Sequence, residues 1–319
     1  MSNPESRPEV LAAARLAPMF LERLNALFTL HDRLHETDPA AFAQVAPRIR
    51  AVAAQGETRV SEDLMARLPA LQLISVMGVG YDGIDVAAAK RRGIVVTHTP
   101  DVLNDEVADT AIGLMLCAAR QLPAADRFVR SGQWLQGPMP LQRRMSGARL
   151  GIVGMGRIGK AIARRAEAFG MRIAYTARSA KPELSYRFCA TAAELAAISD
   201  FLVVITTGGE GTRKLIDAAV LEALGPKGIL VNVARGSVVD EAALVQALQR
   251  GTIGGAALDV FEDEPRVPQA LIDMPQVVLT PHIGSATRET RQAMCDLAID
   301  NLRACFSGQP LLTPVPECR

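Results

Sequence analysis

Residues 149–178, RLGIVGMGRIGKAIARRAEAFGMRIAYTAR, are compatible with few folds. Leu150 to Val153 form a short apolar run, the pattern of a strand buried on both faces. Gly154-Met155-Gly156-Arg157-Ile158-Gly159 follows directly. A helical pattern then runs to Gly170, which is placed to cap it in the left-handed conformation. Met171 to Thr176 resume as a second strand. Gly154 permits the tight turn, Gly156 lets a pyrophosphate approach the backbone, and Gly159 lets the helix pack close to the strand. The helix N-terminus offers N–H groups and a partial positive charge to phosphates. Strand, glycine turn, helix and strand together point to a bound dinucleotide. Gly154, Gly156, Arg157, Ile158 and Gly159 are its expected contacts in this turn.

Length and charge narrow the rest. A chain of 319 residues suits two domains. The formal net charge is +1 and no block of like charges occurs, so neither nucleic acid nor another polyanion is an expected partner. No apolar run reaches the length of a membrane span, and MSNPESRPEV has no signal-peptide core. The five cysteines, Cys117, Cys189, Cys295, Cys305 and Cys318, show no CxxC spacing. That pattern suits free thiols in the cytoplasm, with no metal site and no disulfide framework.

Residues 9–98 alternate short strands and helices. Strands are expected at Glu9–Ala14, Ile49–Ala54, Leu71–Met77 and Ile94–Thr97, and helices at Met19–Phe28, Ser61–Leu68 and Ile84–Arg92. This is a second parallel α/β layer without a phosphate-binding glycine fingerprint. Its loop Gly78-Val79-Gly80-Tyr81-Asp82-Gly83 follows a strand, where open α/β sheets bind ligands. Backbone N–H groups of Val79 and Gly80 can hold a carboxylate there, although a plain connector fits the same residues. Helices are expected over 104–120 and Asp126–Gly132. Trp134 is expected in the core, and Arg143 and Arg144 in solvent.

Beyond the first βαβ unit, strands are expected at Phe201–Thr206, Ile229–Val233, Gly255–Val260 and Val277–Thr280, with helices at Ala192–Ala197, Glu241–Arg250 and Ser285–Phe306. Polar residues stand at or just past the ends of these strands. Thr206 and Thr207 end one, Val233 and Ala234 lead into Arg235, Asp259 lies in the next, and His282, Gly284 and Ser285 follow the last. Strand carboxyl ends converge on one crevice. An arginine, a carboxylate (Glu264, in FEDEP) and a histidine should therefore meet beside the dinucleotide. Arg235 can hold a carboxylate by two parallel hydrogen bonds. His282 can pass a proton to a carbon-bound oxygen. Glu264, against the other ring nitrogen, would favour the imidazolium.

The chain resembles the D-2-hydroxyacid dehydrogenase family over nearly its whole length, through GMGRIG (154–159), VNVARGSVVDEAAL (231–244), GAALDVFEDEP (255–265) and LTPHIGSAT (279–287). The resemblance implies two Rossmann-like doubly wound parallel-sheet domains with a cleft between them. Residues 1–98 with 287–319 would form the substrate domain, and 99–286 the cofactor domain, with a dimerisation arm near 104–147. It also implies that Arg235 binds the substrate carboxylate and carbonyl, that His282 is the proton donor with Glu264 as partner, and that Asp259 meets the nicotinamide carboxamide. The Val79-Gly80 loop would give N–H groups to the carboxylate of a small 2-oxoacid, and the enzyme would be a homodimer.

Within that family, THTPD (97–101), DEVADTAIGLML (105–116), VRSGQW (129–134) and RRAEAFG (164–170) are similar to NADPH-using glyoxylate/hydroxypyruvate reductases. Reduction of glyoxylate and hydroxypyruvate to glycolate and D-glycerate is the expected activity. A larger 2-oxoacid, or a cofactor-sensing corepressor on the same fold, are the alternatives. Three departures are notable: His98 where asparagine is usual, Thr110 where leucine is common, and Met77-Gly78 before the substrate loop.

The cofactor can be read more finely. NAD-type sites place an acidic residue about 20 residues past the glycines, on the ribose 2′-hydroxyl. Here the second strand runs into Ala177-Arg178-Ser179-Ala180-Lys181, and no carboxylate appears before Glu183. Arg178 can hold a 2′-phosphate, with Ser179 donating a hydrogen bond and Lys181 nearby. Hydrogen bonds to charged groups are worth roughly 1.5–3 kcal/mol, enough for a ~10- to 100-fold preference. NADPH is expected, with NADH weaker.

Overall fold

A computed structural model describes residues 7–56 and 58–318. The chain divides into two compact units, residues 1–103 with 287–319 and residues 104–286.

The first unit is built on five strands: β1 (Glu9–Ala12), β2 (Thr29–Asp32), β3 (Ile49–Gln55), β4 (Leu73–Met77) and β5 (Val95–Thr97). They form one parallel sheet in the order β2-β1-β3-β4-β5. All five residues of β4 are buried, as a central parallel strand covered on both faces requires. The connecting helices start where short polar side chains cap them. Ser61 accepts from the Leu64 N–H at 3.3 Å and Asp85 from the Ala88 N–H at 2.8 Å. The long helix Arg288–Phe306 belongs to this unit. The Ser75 hydroxyl, on β4, donates to the Ala298 carbonyl at 3.0 Å, and the Phe306 ring lies 5.5 Å from Phe28.

The second unit carries seven strands: β6 (Arg149–Val153), β7 (Arg172–Thr176), β8 (Arg187–Phe188), β9 (Phe201–Val204), β10 (Ile229–Asn232), β11 (Gly255–Leu258) and β12 (Val277–Leu279). All pair in parallel in the order β12-β11-β10-β9-β6-β7-β8. From β6 the chain winds outward through β7 and β8, then returns to β9 on the other side. The order therefore reverses between β6 and β9, where doubly wound sheets bind their ligands. The two parallel α/β sheets match the expected fold class.

The helix Asn104–Arg120 buries eight residues, among them Val107, Ala111, Leu114 and Ala118. Arg165 bonds both Asp105 and Asp109, which ties this helix to Arg157–Glu167. The helix Leu122–Arg130 buries none of its residues. Among the described residues, no helix is long and apolar enough to cross a membrane.

Candidate active site

The glycine turn sits at the reversal between β6 and β9. Gly154 has φ +106°, and a Cβ there would lie 2.8 Å from the backbone of Ile205 and Thr206 at the end of β9. A Cβ on Gly159 would overlap the Gly154 carbonyl. Both positions therefore require glycine. Gly156 is different. A Cβ there would meet nothing within 4 Å. This glycine is the N-cap of the helix Arg157–Glu167 and leaves open space at its N-terminus. The cradle fits a pyrophosphate.

β7 leads into the segment expected to select the cofactor. Arg178 and Ser179 are exposed and Lys181 is half-buried. The Lys181 N–H donates to the buried Tyr175 hydroxyl at 2.6 Å, which closes the loop onto the sheet. Glu183, the first carboxylate of the segment, pairs with Lys160 at 2.8 Å.

Backbone hydrogen bonds bring the neighbouring strand ends to one level. Ile205 donates to Val153, Val233 to Val204, Asp259 to Asn232 and Thr280 to Leu258. Strand pairing itself stops short of each of these donors. Thr206, Thr207, Val233, Ala234 and Asp259 thus follow the carboxyl ends of neighbouring strands of the sheet.

Two of the three side chains expected to meet are in direct contact, and the Arg235 guanidinium is near enough to act on one of them through its charge. His282 Nδ1 lies 2.7 Å from Glu264 Oε2, and Glu264 Oε1 accepts from the Phe261 N–H at 3.0 Å. Burial alone would raise the Glu264 carboxyl. The His282 hydrogen bond and charge, the Phe261 N–H and the Arg235 guanidinium outweigh it and hold the group below its ordinary value. The His282 side chain keeps 38% exposure, so solutes can reach the ring. A histidine oriented by a carboxylate at Nδ1 can hold and release a proton at Nε2.

Asp259 supports this pair from beneath. It is 2% exposed. Its Oδ1 accepts from the Thr280 hydroxyl at 2.6 Å and the Ile283 N–H at 2.8 Å, and its Oδ2 from the Gly284 N–H at 2.8 Å. The His282 N–H donates to the Asp259 carbonyl at 2.8 Å. His282 itself has φ +52°. A non-glycine residue there costs about 1–3 kcal/mol, and this lattice of hydrogen bonds is what holds it. The Thr110 hydroxyl adds a bond to the Gly284 carbonyl at 3.2 Å, and Ser285 follows half-buried.

Some contributors have no motif of their own. Asn232 is 1% exposed, donates to the Arg235 carbonyl and accepts from the Ala234 N–H, which fixes the backbone of the arginine loop. Its signal is a single amide at the end of an apolar strand. A Cβ on Gly236 would overlap the Phe261 carbonyl, so the Arg235 and Glu264 loops lie directly on one another.

In the first unit, Val79 and Gly80 are half-buried in the loop after β4. Two expectations need correction. Trp134 is 66% exposed, beside Leu135 at 94%, in a short helix, Gln133–Gln136, that buries none of its residues. Arg143 is not simply solvated. It donates to the Lys227 carbonyl and lies 5.8 Å over the Phe201 ring.

Residues 112–284 match the family described as D-isomer specific 2-hydroxyacid dehydrogenase, NAD binding domain. The chain is 51% identical to glyoxylate/hydroxypyruvate reductase A of Arabidopsis thaliana over 84% of its own length and 85% of the relative. It is 46% identical to hydroxyphenylpyruvate reductase of Plectranthus scutellarioides over 96% and 99%. Among solved structures, an NADPH-dependent glyoxylate/hydroxypyruvate reductase of Sinorhizobium meliloti, in complex with NADP and malonate, superposes with a TM-score of 0.92 at 48% identity, covering 98% of each chain.

Proposed function

We infer the reaction from a plain premise: the chain belongs to the D-isomer specific 2-hydroxyacid dehydrogenase family. It is thus an oxidoreductase that acts on a CH–OH group with a nicotinamide cofactor. The proposed activity is the reduction of glyoxylate and hydroxypyruvate, to glycolate and D-glycerate, with NADPH preferred over NADH.

The observation that carries this reading is the His282–Glu264 pair beside Arg235. When bound, the reduced nicotinamide supplies the two electrons as a hydride. Arg235 holds the substrate carboxylate and polarises its carbonyl. The proton on His282 Nε2 passes to the carbonyl oxygen as it becomes a hydroxyl, and Glu264 keeps the ring charged until then. The N–H groups of Val79 and Gly80 take the carboxylate. Asp259 holds the His282 loop, and its remaining acceptor capacity suits the nicotinamide carboxamide.

The loop Ala177–Lys181 supports NADPH. Arg178 is exposed just past β7, a position from which a guanidinium can meet a 2′-phosphate, and Lys160 engages the competing carboxylate of Glu183. Gly154 to Gly159, Thr206, Thr207, Val233, Ala234, Gly284 and Ser285 complete the proposed cofactor contacts. Exposed Leu122, Val129, Trp134, Leu135 and Leu141 support a homodimer formed through residues 104–147. Five free cysteines suit a cytoplasmic enzyme.

A second reading is a larger 2-oxoacid as substrate, favoured by the 46% identity to a hydroxyphenylpyruvate reductase. The test is spectrophotometric. Purified protein is given glyoxylate, hydroxypyruvate, hydroxyphenylpyruvate or pyruvate, each with NADPH or NADH. Fast NADPH oxidation with the first two is expected. Turnover of hydroxyphenylpyruvate alone would select the second reading.

A further inference from the structure

The loop Gly78-Val79-Gly80 has both of its first two carbonyls turned inward. The Gly78 carbonyl accepts from the Thr99 N–H at 2.8 Å. The Val79 carbonyl lies 3.0 Å from Nδ1 of His98. A carbonyl can only accept, so this nitrogen carries the proton. In a trans peptide the N–H points opposite its carbonyl. Fixing these two carbonyls therefore turns the N–H groups of Val79 and Gly80 away from Thr99 and His98.

His98 is well placed to do this. It is 7% exposed. Its own N–H donates to the Thr313 carbonyl at 3.2 Å, and its carbonyl accepts from the Thr313 hydroxyl at 2.6 Å. Asn301, fully buried on the helix Arg288–Phe306, fixes Thr313 in turn. Its amide donates to the Thr313 hydroxyl at 2.8 Å and its carbonyl accepts from the Thr313 N–H at 3.1 Å. On the outer side the Tyr81 ring meets His98 edge-on, 5.4 Å between centroids. The Tyr81 hydroxyl donates to Glu317 at 3.1 Å. Burial and that carboxylate push the hydroxyl up to about 12, so it remains a donor. Both ends of the loop are thus pinned.

We propose that His98 is a positioning residue for substrate: its Nδ1–H holds the Val79 carbonyl so that the Gly80 N–H is presented, with that of Val79, to the carboxylate of a 2-oxoacid. This rests on the reading that the Val79-Gly80 loop binds that carboxylate. The chemistry also accounts for the asparagine usual at this place. The amide nitrogen of asparagine, like Nδ1, sits two bonds beyond Cβ, and it too can donate to the Val79 carbonyl.

The test compares wild type with H98L, H98A, H98N and R235A, using NADPH with glyoxylate and with glyoxal, in which an aldehyde replaces the carboxylate. Leucine and alanine remove the donor and leave the carbonyl unsatisfied. KM for glyoxylate should rise about tenfold while kcat and NADPH affinity stay within about threefold. Glyoxal turnover should be unchanged, because no carboxylate is there to be held. H98N should restore the glyoxylate KM to within about twofold of wild type. Melting temperatures and NADPH binding identify any variant that has simply lost its fold, and H98N with H98A keeps the comparison open if H98L does not fold. Wild-type KM in H98A or H98L would overturn the proposal, and so would an equal defect with glyoxal. Failure of the underlying reading looks different: wild type would not turn over glyoxylate, or R235A would keep its KM, and the proposal would fall with it.

Discussion

Nδ1 of His282 lies 2.7 Å from Oε2 of Glu264, and the carboxylate is held on its far side by the Phe261 N–H. The pair is therefore built with its orientation set before any substrate arrives. Replacing Glu264 with Gln keeps the shape but removes the charge that favours a protonated ring. We expect kcat to fall about 10- to 100-fold in E264Q, with KM for NADPH unchanged, measured by steady-state kinetics near neutral pH.

The same contact has a signature in stability. The folded Glu264 carboxyl sits below its ordinary value of 4.5, chiefly because the His282 bond and charge outweigh burial. A carboxyl lowered in this way stabilises the fold above about pH 4.5 and loses that contribution as pH falls through its lower folded value. The stability gap between wild type and E264Q, from denaturant unfolding at several pH values, should be steady above pH 5 and close under acid. A gap that widens on acidification would contradict this assignment.

The cofactor loop makes a separate prediction. Arg178 is exposed at the end of β7, and Lys160 occupies Glu183. R178D should reduce the NADPH-to-NADH ratio of kcat/KM by about 10- to 100-fold, chiefly through KM for NADPH. An unchanged ratio would remove Arg178 from the 2′-phosphate site.

Much of this was legible in the chain itself, for a physical reason. A strand buried on both faces must be an apolar run, and β4, β6, β9 and β10 are such runs. Arg235, just past β10, stands out against that background, and His282 likewise follows the short apolar run of β12. The same logic hides elements without a buried face. β2, TLHD, is an edge strand with no buried residue and carried no periodic signal. The two-residue β8 is exposed throughout. The apolar runs also extend slightly past the paired strands. Val233, Asp259 and Thr280 look like strand residues but leave the pairing to shape the site. Trp134 departs from its expected burial because it lies in a short helix with no buried residue. The roles of Asn232 and His98 depend on which backbone carbonyl each meets, and only three-dimensional placement supplies that.

The most direct measurement is the rate of NADPH oxidation by hydroxypyruvate in wild type and H282A, with NADPH affinity measured alongside by fluorescence. If His282 is the proton donor, kcat should drop about 10²- to 10⁴-fold while NADPH still binds as in wild type. A variant that binds NADPH and turns over at the wild-type rate would show that the proton comes from elsewhere, and that the His282–Glu264 pair is not the centre of the reaction.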